Sequence, residues 1–297
     1  MKCYMLSDYL KDTYGEKIYK LKLSSGMTCP NRDGKCGTRG CIFCSEKGSG
    51  EFVADSRLSI EQQIEEEKLK VPTISGKYIA YFQNFTNTYD TPENVRRIYR
   101  PVALRDDIAI LSVATRPDCL SNDIIDVLKE INSIKPLWVE LGLQTIHQNT
   151  ADYIRRGYPL SDYVTAATKL RQAGIKVITH LIIGLPYEDK NLMVESAKFA
   201  GKYSDGVKFH MLYIVKNTDL AQEYVDGNVN ILSLDEYIDI LCECIRVIPE
   251  DVVIHRLSSE AEKESLLAPL WSSDKIKVLR EIKNAMYDRD VIQGENI

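Results

Sequence analysis

Residues 26–50 of the chain read GMTCPNRDGKCGTRGCIFCSEKGSG and hold four of its eight cysteines. Cys41 and Cys44 form a C-x2-C pair, and eleven residues separate Cys29 from Cys41. Glycine is frequent in this stretch, so the loop can fold back on itself and turn backbone N–H groups inward. Thiolates on a metal or iron–sulfur centre accept hydrogen bonds from such donors. The stretch therefore predicts a metal or cluster loop.

The bulk composition is that of an ordinary globular protein. The 297 residues are 44% hydrophobic and 27% charged, with a net charge of −5. No apolar run reaches the ~20 residues that cross a bilayer, and the first residues lack a signal-peptide core. We therefore expect a cytoplasmic protein without a membrane partner, whose cysteines stay reduced. We expect one domain over residues 1–297, with a barrel core at about 16–216 and a C-terminal extension at about 217–297.

Apolar runs of strand length alternate with amphipathic stretches along the chain. The predicted strands are residues 17–23, 77–82, 107–113, 137–143, 176–183, 206–215 and 251–257. The predicted helices are residues 59–71, 91–100, 121–133, 147–155, 161–173, 188–203, 233–247 and 274–289. Successive strand–helix units imply parallel strands with right-handed crossovers, and six or seven units fall short of a full eight-fold barrel. We predict an α/β fold, a partial (β/α)6 TIM-like barrel, with a doubly wound sheet as the alternative.

The cysteine loop directly follows the first predicted strand, at the edge where such folds place their chemistry. Its spacing alone leaves two kinds of site open. A closed zinc site needs four ligands, and Cys36 supplies a fourth thiol. Three thiolates on a four-iron cluster leave one iron open to a small molecule, which is a catalytic arrangement.

Several further segments lie in order near the ends of the predicted strands. Together with CPNRDGKCGTRGCIFC, the sequence resembles the YhcC-like (MnmL) branch of radical S-adenosylmethionine (SAM) enzymes, relatives of the Elongator catalytic subunit. The resemblance covers nearly the whole chain. The matching segments are TRPDC (115–119), ELGLQT (140–145), RRGY (155–158), HLIIGLP (180–186), KFHMLYIVKNT (208–218), VVIHRL (252–257) and APLW (268–271).

The resemblance implies a [4Fe–4S] cluster on Cys29, Cys41 and Cys44, with no ligand role for Cys36. The open iron would chelate SAM, whose one-electron cleavage releases methionine and a 5′-deoxyadenosyl radical. An electron donor such as flavodoxin or ferredoxin is implied as a partner. The residues implied to contact SAM are Phe43, Gln83, Asn84, Glu140, Gln144, Arg156, His180, Gly184 and Leu185.

Some of these positions have plain structural alternatives. Arg156 suits bidentate binding of the SAM carboxylate, but it could also be a solvated helix arginine. His180 could be a buried histidine satisfied by its neighbours. A substrate anion could be recognised by His210, Lys216, His255 and Arg256, or these residues could serve packing and surface ion pairs. Because His255 and Arg256 are adjacent on a strand, we expect only one to face the cavity.

The resembling family is linked to wobble-uridine maturation in tRNA. The implied reaction removes the carboxymethyl part of 5-carboxymethylaminomethyluridine and leaves the aminomethyl form, with the tRNA anticodon loop as partner. Cations predicted near the mouth are compatible with this partner. They are Arg32, Lys35, Arg39, Lys47, Arg116 and Arg155. The alternatives are a radical SAM enzyme acting on a small metabolite or peptide, and a non-catalytic zinc-binding module.

Overall fold

Seven parallel strands curl into a half-barrel in the computed structural model, which describes residues 3–48, 52–72 and 76–297. Residues 49 and 50 of the cysteine stretch lie outside the described residues. Two further short strands pair with each other. In chain order the strands are β1 (Tyr19–Leu23), β2 (Tyr78–Phe82), β3 (Ile108–Thr115), β4 (Leu137–Gln144), β5 (Lys176–Ile183), β6 (Gly206–Met211), β7 (Ile214–Val215), β8 (Val253–Arg256) and β9 (Leu266–Ala268).

Helices follow most strands and cover the convex face of the sheet. They are α1 (Leu6–Tyr14), α2 (Ile60–Lys68), α3 (Pro92–Ala103), α4 (Asn122–Ile134), α5 (Gln148–Tyr153), α6 (Leu160–Gln172), α7 (Lys190–Tyr203), α8 (Asp219–Val225), α9 (Leu234–Arg246) and α10 (Lys275–Asp288). Side-chain caps mark several starts, because a hydroxyl or carboxylate satisfies a free N–H of the first turn. Ser59, Thr91 and Ser121 act in this way at α2, α3 and α4.

The strand order in the large sheet is β1-β2-β3-β4-β5-β6-β8, so neighbours in space follow the chain. A doubly wound sheet would reverse this order at a switch point. The alternative fold is therefore wrong, and the partial barrel is confirmed. The proposed boundary near residue 216 stays a prediction.

Both faces of the sheet are covered, which explains the apolar runs of its strands. In β1, Leu21 and Leu23 are fully buried in the core under the helices. Lys20 and Lys22 alternate with them and therefore face the barrel interior. This alternation places charged side chains inside the barrel.

Several features depart from the predicted elements, among them α8 and β9, which form where no helix or strand was predicted. The predicted strand 206–215 divides into β6 and β7, and β7 pairs antiparallel with β9 rather than continuing the large sheet. The N-terminal segment, where we predicted no element, forms α1 and packs Leu10 under the barrel beside Trp138. The backbone of Tyr4 accepts a hydrogen bond of 2.8 Å from Ile254 in β8.

Candidate active site

A cavity of about 1240 Å³, counted to its open mouth, lies at the carboxyl end of the strands. It gathers ten of the predicted site residues in its lining: Cys29, Cys41, Phe43, Cys44, Gln83, Glu140, Gln144, Arg156, His180 and His210. The other six do not line it: Asn84, Gly184, Leu185, Lys216, His255 and Arg256. Lys216, for example, is exposed and donates to the backbone of Glu264 over 2.7 Å. The barrel thus brings together all three predicted cluster ligands, six of the nine predicted SAM residues and one of the four predicted substrate residues.

The cysteine loop is held by its own backbone hydrogen bonds. Cys36 N donates to Pro30 O over 2.8 Å, and Cys44 N donates to Cys41 O over 3.0 Å. These bonds leave Cys36 exposed and outside the cavity lining, whereas the other three thiols of the loop line it. All eight cysteines lie in described residues and are free thiols. Burial raises the pKa of the Cys41 thiol to about 12, so this thiol is protonated at neutral pH when no metal is bound.

Asn31 anchors this loop to the turn after α5, and the sequence analysis did not assign it a role. Its side-chain amide donates to Arg155 O over 2.8 Å, to Arg156 O over 3.3 Å and to Cys41 Sγ over 3.5 Å. Its backbone oxygen accepts from Gly40 N over 2.7 Å. Asn31 therefore connects a predicted cluster ligand with the turn that carries Arg156. Nothing local in the sequence indicates this, because its partners lie up to 125 residues away.

Arg156 is 1% exposed, so the alternative of a solvated helix arginine is wrong. Its guanidinium donates to three backbone carbonyls: Leu143 O at 3.2 Å, Thr145 O at 2.6 Å and Tyr158 O at 3.1 Å. In the part of the chain that the structure describes, it forms no ion pair, and its buried Nη2 has no hydrogen-bond partner. A buried cation without a counter-charge at the cavity wall is suited to bind a carboxylate.

A buried polar cluster forms the deep end of the cavity, with Glu140 at its centre. Glu140 pairs with Lys208 and lies 2.7 Å from His180 Nε2. Ser112 Oγ donates to it over 2.6 Å, and Lys20 Nζ lies 3.7 Å away. Burial alone would raise the pKa of Glu140, but Lys208, Lys20 and His180 hold this pKa well below its usual range. Glu140 is therefore a stable carboxylate that organises its neighbours.

The sequence analysis missed two members of this cluster, Lys20 and Lys208. Lys208 Nζ lies 3.2 Å from Tyr81 Oη, and the ring of Tyr81 also lies under Lys20 Nζ, at 4.9 Å. One signal was available: polar residues alternate with apolar ones in both predicted strands, Lys20 and Lys22 in the first and Lys208 and His210 in the sixth. Strands of a barrel place such alternating positions inside.

The histidines on the interior face are neutral near pH 7. Burial and the nearby Lys208 lower the pKa of His180 to about 4. Burial also holds the pKa of His210 well below its usual range. The two rings are 5.1 Å apart, and the buried Nε2 of His210 has no hydrogen-bond partner. His210 thus presents a neutral, unused polar atom at the cavity wall.

His255 and Arg256 both face the barrel interior. His255 packs on Trp138, with ring centroids 5.0 Å apart, below the cavity. Arg256 is in register with Lys208, whose side chain reaches Glu140 inside. The expectation that one of them faces the cavity is wrong, because neither residue lines it. The register between β6 and β8 also shifts by one residue here, which breaks the strict alternation.

Most of the predicted mouth cations have partners within the chain. Arg32 donates to the backbone oxygens of Cys44 and Ser45, over 3.2 and 2.5 Å. Lys35 lies 5.1 Å from the ring centroid of Tyr89. The remaining four pair with acids: Arg39 and Arg155 with Asp219, Lys47 with Glu262, and Arg116 with Asp118. Three carboxylates therefore offset about half of the positive charge that was predicted for the mouth.

A parallel half-barrel with a thiol-lined cavity at its carboxyl end defines a class of iron–sulfur barrel enzymes. The chain belongs to the radical SAM superfamily: residues 33–200 match the superfamily model, and residues 204–288 match its Radical SAM C-terminal domain. It is a radical SAM enzyme, and a [4Fe–4S] cluster and SAM are the cofactors of this family.

The full-length relatives include two bacterial proteins. The chain is 39% identical to the uncharacterized protein YtqA of Bacillus subtilis over 293 residues, which cover 98% of this chain and 91% of YtqA. It is 34% identical to protein YhcC of Escherichia coli K12 over 289 residues, which cover 97% of this chain and 93% of YhcC. These matches confirm the predicted branch of the family.

Two more distant matches cover part of the other protein. A tRNA uridine(34) acetyltransferase of Methanocaldococcus jannaschii is 26% identical over 154 residues, 50% of this chain and 28% of that protein. The solved structure of Methanocaldococcus infernus Elp3, with residues 1–46 deleted, has a TM-score of 0.62 at 19% identity. That match covers 78% of this chain and 58% of the Elp3 chain, and it shows a shared fold.

The residues of this cavity fit both cofactors. The three thiols share one cavity, and the unmatched guanidinium of Arg156 also lines it. In the described ranges, no three His, Cys, Asp or Glu side chains converge as the ligands of a single metal ion would. Thiolates on a four-iron cluster bind different irons and need no such convergence.

Among the helices that the structure describes, none is long and apolar enough to cross a bilayer.

Proposed function

We propose that this chain matures wobble uridines in tRNA, removing the carboxymethyl part of 5-carboxymethylaminomethyluridine and leaving the aminomethyl form. The observation that carries the enzymatic part is the joint lining of one cavity by Cys29, Cys41, Cys44 and the unmatched cation Arg156. We propose that the reaction takes place in the cytoplasm, with a donor such as flavodoxin or ferredoxin supplying the electron.

In this proposal Cys29, Cys41 and Cys44 hold the [4Fe–4S] cluster. With cluster and SAM bound, the chemistry supplied is reductive cleavage of SAM to methionine and a 5′-deoxyadenosyl radical. The chain's own contribution is binding and shielding. Arg156 binds the SAM carboxylate through its free Nη2. Its hydrogen bonds to three backbone carbonyls fix the guanidinium at the cavity wall. Phe43 lies beside the ligands as an aromatic wall.

Gln83, Gln144 and His180 line the same cavity and supply further polar contacts to SAM in this proposal. Glu140 also lines it, but Lys208, His180 and Ser112 already engage its carboxylate. We therefore give Glu140 a positioning role for His180 rather than a direct SAM contact. Asn84, Gly184 and Leu185 do not line the cavity, and we therefore propose no contact between them and SAM.

The tRNA substrate is supported by relatives. Half of the chain aligns in sequence with a protein named tRNA uridine(34) acetyltransferase. The fold of the chain is similar to that of Elp3. Uridine 34 is the wobble position. A base must leave the anticodon loop to enter a cavity at a barrel end, as splayed single-stranded bases do in other RNA complexes.

A second candidate is a radical SAM enzyme acting on a small metabolite or peptide. The pairing of the mouth cations favours it, because Asp219, Glu262 and Asp118 offset three of the six positive charges that would attract phosphates. The salt dependence of tRNA binding separates the two candidates. A polyanion that displaces these acids gives a steep dependence on salt, whereas a small substrate needs no tRNA affinity.

The deciding experiment is nucleoside mass spectrometry of tRNA from a deletion strain complemented with wild-type protein or with Cys44→Ala. We expect the carboxymethylaminomethyl form to accumulate in the deletion strain and with Cys44→Ala, and to be processed with wild type. Identical nucleoside profiles in all three strains would refute the tRNA substrate.

The alternative of a non-catalytic zinc-binding module is wrong, because the chain belongs to the radical SAM superfamily. Metal analysis of the anaerobically prepared protein tests the three proposed cluster ligands, and about four irons and four sulfides per chain are expected with wild type. An unchanged iron content after replacing Cys29, Cys41 or Cys44 by alanine would refute their assignment, whatever the tRNA profiles show.

A further inference from the structure

The deep end of the cavity has more positive than negative charge. Lys20 and Lys208 both approach Glu140, the first at 3.7 Å and the second as a direct ion pair. Arg256 faces the same interior through its register with Lys208. In the described part of the chain it forms no ion pair. Two lysines therefore share a single carboxylate, with Arg256 on the same side of the sheet.

The histidines do not change this balance. Burial and neighbouring cations hold the pKa of His180 at about 4 and that of His210 well below its usual range, so both are neutral near pH 7. Glu140 remains ionised, because Lys208 and Lys20 lower its pKa. Unmatched charge inside a barrel is costly unless a counter-ion is present. Burial lowers the pKa of Lys20 and holds that of Lys208 well below its usual range, so a second anion here would stabilise their charged forms. The geometry therefore favours an anion that the protein itself does not supply.

Polar atoms aimed at the cavity support an anion there. Glu140 and His210 line the cavity, so the charged cluster is reached from it. The buried Nε2 of His210 has no hydrogen-bond partner. Lys208 is fully engaged by Glu140, which leaves Lys20 and Arg256 as the available charges. Lys20 and Arg256 lie behind the cavity lining rather than in it, and Lys20 keeps 23% of its side chain exposed, which leaves it accessible to a ligand.

We propose that Lys20, Arg256 and His210 bind the carboxylate of the substrate's side chain. This inference rests on the proposed function and names the group that the enzyme reads. The carboxymethyl group is the part that the reaction removes, and the product's aminomethyl group is a cation at neutral pH. Lys20 and Arg256 therefore attract the carboxylate of the substrate and repel the ammonium group of the product. The site thus favours both substrate binding and product release.

Binding of two synthetic nucleosides to the anaerobically reconstituted full chain tests this site. The nucleosides are 5-carboxymethylaminomethyluridine and 5-aminomethyluridine, and the variants are the double substitution Lys20→Met with Arg256→Met and the control Lys176→Met. Lys176 is exposed at the opposite, amino-terminal end of the barrel strands. We expect wild type and Lys176→Met to prefer the carboxylate nucleoside about tenfold or more, as charge-assisted hydrogen bonds imply, and the double variant to show little preference. An unchanged preference in the double variant would overturn the site.

A stability readout keeps this test separate from the tRNA proposal. Without ligand, the double variant is expected to melt at a higher temperature than wild type, because it removes unmatched buried charge. Acetate, compared with chloride at equal ionic strength, is expected to raise the melting temperature of wild type more than that of the double variant. If this holds while neither nucleoside binds, the anion site stands and the tRNA substrate fails. Equal acetate shifts in both proteins refute the anion site and leave the tRNA proposal to the nucleoside profiles.

Discussion

Gly157 lies where the cysteine loop meets the turn that carries Arg156, and replacing it by alanine tests how that junction is held. Its φ is +81°, and an added Cβ would lie 2.6 Å from Asn31 Oδ1. The Asn31 amide cannot simply swing away, because it donates to Arg155 O over 2.8 Å and to Arg156 O over 3.3 Å. The substitution therefore acts on the backbone and on the Asn31 contacts together.

The expected cost has two parts. Alanine at positive φ costs about 1–2 kcal/mol, and two lost hydrogen bonds cost about 1 kcal/mol each. We expect Gly157→Ala to lower the free energy of unfolding by about 3–4 kcal/mol. Gly174→Ala is the matched control: its φ is +73° and nothing lies within 4 Å of the added Cβ, so only the backbone part of about 1–2 kcal/mol applies.

Urea unfolding of the cluster-free protein measures both costs, and iron per chain after anaerobic reconstitution reports on the loop. In an Asn31→Ala background, Gly157→Ala is expected to cost no more than Gly174→Ala, since the clash is gone. The reasoning is refuted if Gly157→Ala and Gly174→Ala cost the same in the wild-type background, or if Asn31→Ala leaves their difference unchanged.

Three further outcomes are expected. Cys44→Ala abolishes the bound iron, whereas Cys36→Ala, at an exposed position outside the cavity, retains about four irons per chain; equal loss would contradict a three-thiol site. Arg156→Met weakens SAM binding at least about tenfold in equilibrium dialysis, because a charge-assisted contact is lost; unchanged affinity would remove Arg156 from the SAM site. The pKa of His180, lowered to about 4, means that the folded chain binds fewer protons than the unfolded chain as pH falls below the usual histidine range. His180 should then contribute about 2 kcal/mol to the fall in the free energy of unfolding from pH 7 to pH 5, in addition to the share of His210, and His180→Gln should reduce the slope by that amount.

Local patterns were enough to predict the architecture. Strands buried on both faces must be apolar along their whole length, so the run at 176–183 was predicted with the bounds of β5. The cysteine loop follows β1 in the chain, and parallel strands put all their carboxyl ends at one edge. The position of the thiols at the mouth of the barrel therefore followed from chain order alone.

Helix α1 shows where local patterns were insufficient. Its sequence, LSDYLKDTY, is mostly polar, so local pattern does not predict a buried helix face. Its apolar side chains are buried only because they cover the base of the barrel. Leu10 packs beside Trp138 and Ile178, which are far away in the chain. The division of the predicted strand 206–215 likewise depends on a partner, because β7 pairs with β9 more than fifty residues later.

The sequence by itself determined the kind of chemistry: three spaced cysteines after a first strand, in a chain of strand–helix units. Only the tertiary structure decided which charges remain available for ligands. It paired Arg39 and Arg155 with the single carboxylate of Asp219, and it buried Arg156 with no acidic partner among the residues that the structure describes. It also placed Lys20 from the first strand beside Glu140 from the fourth. Charge pairing depends on distances across the barrel, and a sequence specifies those only through the complete fold.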